Sequence, residues 1–425
     1  VINISYWLHR KKTDLPHAVA AYLFNSLSVM SDGTGPGRLA RPGIMQEQRV
    51  VMNRRNLLKG AGYVAGLSLT STGMMRVAQA ATAPVTGGRT GPLNLITDVA
   101  GISVGCAEDA KVRTGTTVIL ADKLSTAAVD VRGGGPGTRE TDALDAYNLV
   151  GAANAIVLSG GSSWGLAAAD GVAAHLGAKG IGYGGMAAKG VPVSPIVPAA
   201  ILYDLANGGD KNWGTEPPYR DLGAKALAAA GTQFRLGTSG AGYGAMAGGL
   251  KGGLGSASTL TSDGVMVGAI VAVNSMGSTV IPGTHQFWSG PYEIGDEFGG
   301  MAPAAQRVGP EEWGYVKGAS ARENTTIACI ATDLALTADE MKRVVIMAQD
   351  GLSRAIRPIH TPFDGDVVFA ISTGRIQPKE PRQLAVLKVG AVAADTLARA
   401  IARGVYTASA PPGSDAKTWS SLKGK

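Results

Sequence analysis

From about residue 93 onward, short apolar runs rich in Val and Ile alternate with alanine-rich stretches of helical length, and glycine marks most of the joins. The runs at 93–104, 116–120, 155–158, 192–204, 265–274, 325–332 and 367–372 predict strands, and those at 166–176, 221–230, 338–356 and 384–404 predict helices. Thr337 followed by Glu340 gives the third of these helices a capping signal at its start. Strands that alternate with helices argue for sheets covered by helices, an α/β protein. Residues 280–322 break the pattern and predict a long irregular loop just upstream of the strand at 325.

That strand begins abruptly. Asn324-Thr325-Thr326 passes at once into Ile327-Ala328-Cys329-Ile330, so a hydroxyl stands at the mouth of a buried element. A Thr hydroxyl becomes a useful nucleophile only beside a base, and a threonine that is itself an N-terminus carries that base as its own α-amine. An α-amine titrates near roughly 7.7–8.0, so it can take up a proton close to neutral pH. Self-cleavage of the Asn324–Thr325 bond would create such a residue. On residues 322–333 alone, an ordinary strand start at Thr is the simpler account, and it is the rest of the chain that reverses the preference.

Composition and charge narrow the field. The chain has 425 residues, long enough for one large domain or two modest ones. Its formal charge of +7 lies wholly in residues 1–80, which hold ten basic and three acidic residues; the remaining 29 and 29 balance. A neutral body gives no electrostatic reason to expect nucleic acid or a membrane surface as partner. Met52-Asn53-Arg54-Arg55-Asn56-Leu57-Leu58-Lys59, the apolar segment 60–75 and Ala78-Gln79-Ala80 form a twin-arginine export signal with a small-x-small cleavage site. The expected organisation is therefore an upstream extension at 1–51, a signal at 52–80 that directs the protein to the periplasm, and one hydrolase domain split into 81–324 and 325–425. The two cysteines, Cys106 and Cys329, cannot frame a metal site; Cys329, inside the predicted strand, reads as a buried free thiol. Neither metal nor cofactor is expected.

Three other motifs compete for attention. Gly161-Ser162-Ser163-Trp164-Gly165 fits the nucleophile-elbow pattern between strand and helix, but of the later histidines, His285 and His360, neither has an evident acidic partner, so a packing turn is expected. Arg132 and Arg139 flank a glycine loop and read as surface ion-pair residues rather than a carboxylate clamp. The glycines at 237–244 lack the lysine of a phosphate loop.

Several ordered stretches then point one way: Val131-Arg132-Gly133-Gly134, Pro136 to Asp142, Leu158 to Ser162, Pro195 to Ala200, Lys251 to Gly255, Asn324-Thr325-Thr326 and Ile356 to Asp366. Over about residues 91–410 the chain resembles the DmpA-like family of N-terminal-nucleophile hydrolases, which includes L-aminopeptidase/D-esterases, β-peptidyl aminopeptidases and 6-aminohexanoate-oligomer endohydrolases. The resemblance implies a four-layer α/β/β/α sandwich of the kind shared with ornithine acetyltransferases, self-cleavage into chains that stay together, and homo-oligomers such as tetramers. It makes Asn324–Thr325 the processed bond and Thr325 the nucleophile. It places Lys251 and Asn274 beside it, with Asn274 donating to an oxyanion and Lys251 supplying positive charge, and Tyr203 nearby through a looser match. Asp364 and Asp366, whose i, i+2 spacing sets both carboxylates on one side of an extended segment, match the acidic pair near the new amine.

Aminopeptidase members usually carry Ser as nucleophile and a Ser/Glu pair at those two positions. Thr325 with two aspartates is closer to the nylon-oligomer branch. The expected substrate is a small peptide-like or ω-amino-acid amide; aminopeptidase or D-amino-acid esterase action and acetyl transfer are the alternatives.

Overall fold

The run at 116–120 is one end of a much longer strand, and that strand organises the molecule. The computed structural model describes residues 87–424 apart from 185–189, 302–303, 306, 315 and 318–323. The leader expected at 1–80 lies outside the described residues. The strands are β1 (Gly88–Arg89), β2 (Ile102–Asp109), β3 (Thr114–Val131), β4 (Thr138–Arg139), β5 (Ala152–Ser159), β6 (Ala199–Ile201), β7 (Met246–Ala247), β8 (Leu250–Lys251), β9 (Gly253–Thr261), β10 (Met266–Asn274), β11 (Thr325–Leu334) and β12 (Val367–Ile376). The helices are α1 (Ala167–Ala178), α2 (Tyr219–Ala228), α3 (Ala338–Ala348), α4 (Asp350–Ala355) and α5 (Arg382–Tyr406).

Hydrogen bonding links ten strands in the order β1-β9-β10-β11-β12-β3-β5-β6-β4, with β2 on β3. The ladder is continuous, yet it serves two layers. Near its start, β3 sends Val118 into a core with α1 and α2, through Val172, Leu176 and Leu222. Near its end, it sends Ala128 into a different core with α3, α4 and α5, through Val344, Leu352 and Leu397. From the opposite face of β3, Ile119, Ala127 and Val129 share a third core with Ile270, Ile327, Cys329 and Phe369. No residue of the five helices belongs to this third core, so the sheet covers it on both sides, and β11 lies against β5 and β6 without sharing a ladder with them. Three stacked cores make four layers, helix, sheet, sheet and helix, as the α/β/β/α expectation requires.

Strict alternation in the central strands produces this arrangement. Along β11, Ala328 and Ile330 face the helices while Ile327, Cys329 and Ala331 face the opposite sheet. Burying each such Val, Ile or Leu contributes roughly 1.5–3 kcal/mol, which is why a strand covered on both faces reads as one apolar run. Thr337 and Glu340 form the anticipated capping box at the start of α3, with the Thr337 N–H donating to Glu340 at 2.9 Å.

Several predicted boundaries move. The helix expected over 338–356 is two helices, parted at Gln349, whose amide donates to the Asp130 carbonyl of β3 at 2.9 Å. The strand expected over 192–204 shrinks to β6, because Pro195 and Pro198 supply no N–H for a ladder. Residues 96–98 form a 3-10 turn held by Asp98, which accepts from the N–H groups of Leu93 and Leu95. The glycine-dense stretch after Lys251 is the buried strand β9; a Cβ at Gly255 would sit 1.9 Å from the Ala400 carbonyl, so glycine lets α5 lie directly on that strand.

Arg132 and Arg139 pair with Asp130 and Asp170 at the surface, and Cys106 and Cys329 are free thiols, the latter buried. The elbow sequence is a packing turn: a Cβ at Gly165 would lie 1.9 Å from the Gly160 carbonyl, and Ser163 is exposed. Among the described residues no helix is long and apolar enough to cross a membrane.

Candidate active site

β11 starts at the centre of the ladder, between antiparallel β10 and parallel β12. Its register sets Thr325 directly opposite Asn274, the last residue of β10. The loop entering β12 runs alongside the preceding residue, so Asn324 bridges to Asp364. Asn324, Asp364 and Asp366 are fully buried and Thr325 nearly so.

The carbonyl oxygen of Asn324 accepts two hydrogen bonds. One comes from the Thr325 hydroxyl at 2.5 Å, the other from the Gly365 N–H at 2.9 Å. Two donors on one carbonyl oxygen draw electron density from its carbon and stabilise negative charge forming on the oxygen. Gly365 is the residue the site requires: a Cβ there would fall 2.8 Å from both the Thr325 hydroxyl and the Gly135 carbonyl. The Asn324 side chain is buried with neither its nitrogen nor its oxygen paired. An unpaired buried amide costs on the order of 1–3 kcal/mol per polar atom.

The two carboxylates each gather three donors. Asp364 accepts from the Met276 N–H at 3.2 Å, the Thr361 N–H at 2.9 Å and the Thr361 hydroxyl at 2.7 Å. Asp366 accepts from the Thr326 N–H at 2.8 Å, the His360 N–H at 3.1 Å and the His360 ring Nδ1 at 2.9 Å. Burial raises the Asp366 pKa above the usual carboxylate range; the His360 hydrogen bond pulls it back, and the charge of Asp364 pushes it up again. His360 holds this position at φ +56°, a left-handed conformation unusual for a residue with a side chain, and its Nε2 is buried without a partner. Sequence reasoning considered His360 only as a partner for the elbow serine. The available signal was the Asp-Gly-Asp motif a few residues later.

Asn274 presents its amide nitrogen to the Tyr203 carbonyl at 3.1 Å, while its Oδ1 accepts from the Met246 N–H at 2.9 Å. The Tyr203 backbone is thus beside Asn274. Lys251 gives all three of its N–H bonds to carbonyls, those of Gly242, Ala245 and Gly252, at 2.7–2.9 Å. It reaches the site through the β7–β8 pair, where it faces Met246, which in turn bonds Asn274. Burial pulls its ammonium down to about 7, with the charge of Asp204 drawing it back up.

Asp204 was not anticipated. It is fully buried, accepts from the Thr114 hydroxyl at 2.7 Å and the Gly161 N–H at 2.8 Å, and is pushed up to about 6 by desolvation. The elbow-like turn therefore helps to seat a buried acid behind Tyr203. Lys317 was also missed: its ammonium donates to the Asn274 main-chain oxygen at 2.9 Å and to Oδ1 at 3.1 Å. A cavity of about 380 Å³ opens beside Lys251 and Met246.

Solved structures with this architecture define the class. A β-aminopeptidase of Burkholderia sp. superposes with a TM-score of 0.59 over 79% of this chain and 94% of its own, at 22% identity. The L-aminopeptidase D-Ala-esterase/amidase of Ochrobactrum anthropi, described as a variant of the Ntn hydrolase fold, matches with a TM-score of 0.59 over 80% of this chain and 95% of its own, at 21% identity. The fold is thus that of the DmpA-type aminopeptidases. The sequence model of peptidase family S58 matches residues 94–419, and the chain belongs to that family. An uncharacterised aminopeptidase of Mycobacterium bovis is 44% identical over 335 residues, covering 74% of this chain and 94% of its own. A 6-aminohexanoate-oligomer endohydrolase of Agromyces sp. is 29% identical over 297 residues, covering 66% of this chain and 75% of its own. The protein is a hydrolase of amide bonds.

Proposed function

We propose that this hydrolase cuts its own Asn324–Thr325 bond and then uses Thr325 as an N-terminal nucleophile on peptide-like amides. In maturation the Thr325 oxygen attacks the Asn324 carbonyl carbon. The C–O bond forms as the C–N bond breaks, and the freed α-amine takes the hydroxyl proton. Water then hydrolyses the ester, leaving an Asn324 carboxylate and a Thr325 bearing both hydroxyl and amine. The same hydroxyl next attacks a substrate carbonyl with its own amine as base; the substrate C–N bond breaks as the leaving amine takes that proton from the α-ammonium, and water then attacks the acyl-enzyme ester, releasing the acid and restoring the hydroxyl. Asp364 and Asp366 hold the new ammonium, and the Gly365 N–H serves developing oxyanion charge.

The observation that carries this reading is the Asn324 carbonyl oxygen, which accepts from both the Thr325 hydroxyl and the Gly365 N–H. The names of the relatives support peptide and ω-amino-acid amides as the substrate class. The twin-arginine pattern supports action in the periplasm after removal of residues up to Ala80, and the family resemblance supports a homo-oligomer.

Denaturing gels of the exported protein should show two bands of about 25 and 11 kDa, scaled from fragment lengths, with the smaller beginning Thr-Thr-Ile. Thr325→Ala should give one uncut band without amidase activity. A fully active enzyme that is never cut would overturn the proposal.

A further inference from the structure

The acid behind Tyr203 is built into the frame of the site. β6 ends at Ile201, and the chain that follows is pinned first at Leu202, whose N–H donates to the Ser159 carbonyl at 2.9 Å and whose carbonyl accepts from the Ser162 N–H at 2.9 Å. The next pin is the Asp204 side chain, 2% exposed, with Oδ2 accepting from the Thr114 hydroxyl at 2.7 Å and Oδ1 from the Gly161 N–H at 2.8 Å. Glycines make its room: a Cβ at Gly160 would fall 2.2 Å from Oδ2, and one at Gly244 2.6 Å. Between the two pins lies the Tyr203 carbonyl, which accepts from the Asn274 amide nitrogen at 3.1 Å. That bond crosses between the sheet layers, since Ala199 of β6 packs with α1 and α2 while Val273 of β10 packs with α3, α4 and α5. Asn274 stands directly opposite Thr325, and side chains so paired share a face with Cβ atoms about 4.5–5.5 Å apart. Its Oδ1 is met by the Met246 N–H at 2.9 Å, two residues past Gly244. Asp204 therefore lies against both segments that grip the Asn274 amide. A carboxylate is costly to bury, and both of these bonds come from neutral donors, so packing alone does not account for an acid here.

We propose that Asp204 is a positioning residue of this hydrolase: it pins the Tyr203 carbonyl and, through that carbonyl, sets the direction of the Asn274 amide beside Thr325. This role rests on Thr325 being the nucleophile and deepens that reading. Asp204 touches no reacting atom. A donor that serves developing charge is effective only when its direction is fixed before the reaction, and removing such a donor costs on the order of 100- to 1,000-fold in kcat. Without the Asp204 carboxylate the Tyr203 carbonyl is held from the Leu202 side alone, and the direction of the amide loosens.

Turnover of β-alanyl-p-nitroanilide by the cut enzymes gives the first test. Asp204→Ala should lower kcat at least about tenfold and leave KM within about twofold, a loss of transition-state rather than ground-state binding. In an Asn274→Ala background the same substitution should change kcat by less than about twofold, because a residue that acts through Asn274 has nothing left to act on. An unchanged kcat in the single variant, or losses that multiply in the double one, overturns the role. The second test uses the uncut Thr325→Ala protein and needs neither processing nor turnover. Hydrogen exchange of isotope-labelled asparagine side chains should be at least about tenfold faster at Asn274 in Thr325→Ala/Asp204→Ala than in Thr325→Ala, with the buried Asn154 unchanged. Unaltered exchange at Asn274 overturns the role, and so does equal acceleration at Asn154, because Asp204 would then serve the fold as a whole. Should Asp204→Ala not fold, Thr114→Val removes one of the two donors, and the same criteria apply at about threefold. If the wild type is never cut, the processing reading fails while the exchange measurement still decides.

Discussion

Asp366 is held by three donors, one of them the His360 ring. The His360 ring bonds its carboxylate and lowers a pKa that burial has raised. Removing the ring removes that correction, so the sign is determined: in His360→Ala the Asp366 carboxylate protonates at a higher pH than in the wild type. Where amidase activity depends on that ionised carboxylate, the acid limb of the kcat/KM profile should move toward neutral pH. Loss of a hydrogen bond to a charged group should also cost roughly 10- to 100-fold in kcat/KM at the low end of the profile. A pH–rate series on cut enzyme checks this; an unshifted acid limb would mean that His360 only fills space. The paired aspartates are legible in the sequence because i, i+2 spacing is a local property. His360 is not, because its partner is decided by the turn that brings residue 360 back against 366.

β9 shows how far a local pattern can mislead. Gly253, Gly255 and the serines beside them form a glycine-dense stretch with no apolar run to mark a strand, yet they belong to a strand that lies beneath α5 and is buried except at Leu260. The glycines are there for the helix: a Cβ at Gly255 would strike the Ala400 carbonyl, and one at Gly253 would lie 2.3 Å from the Gly404 carbonyl. Gly255→Ala should push α5 off the sheet and cost roughly 1–3 kcal/mol, the usual range for overpacking. Urea unfolding of the uncut Thr325→Ala background measures it, and an unmoved midpoint would refute the close approach. By contrast β10 and β11 are readable at once, since strands buried on both faces are apolar throughout. The break between α3 and α4 is invisible in the sequence: Gln349 keeps helical backbone angles, and only its side chain marks the place, by reaching a carbonyl of β3 more than 200 residues away.

At the scale of the whole molecule, the proposed cut falls in the middle of the ladder rather than at an edge. β11 pairs with β10 from one side of the cut and with β12 from the other, and both prospective fragments contribute to the two cores flanking β11. The fragments should therefore co-elute as one particle in native size exclusion and part only in denaturant; separation in plain buffer would contradict this packing. The sequence by itself determined what depends on near neighbours: the central strands and most helices, the hydroxyl at the mouth of β11, and the spacing of the two aspartates. Only the tertiary structure decided that β3 passes through both layers, and that Gly365, His360 and Lys317 converge on Asn324, Asp366 and Asn274. Those meetings depend on how separate segments are brought together by pairing, turns and burial, and no periodicity along the chain records them.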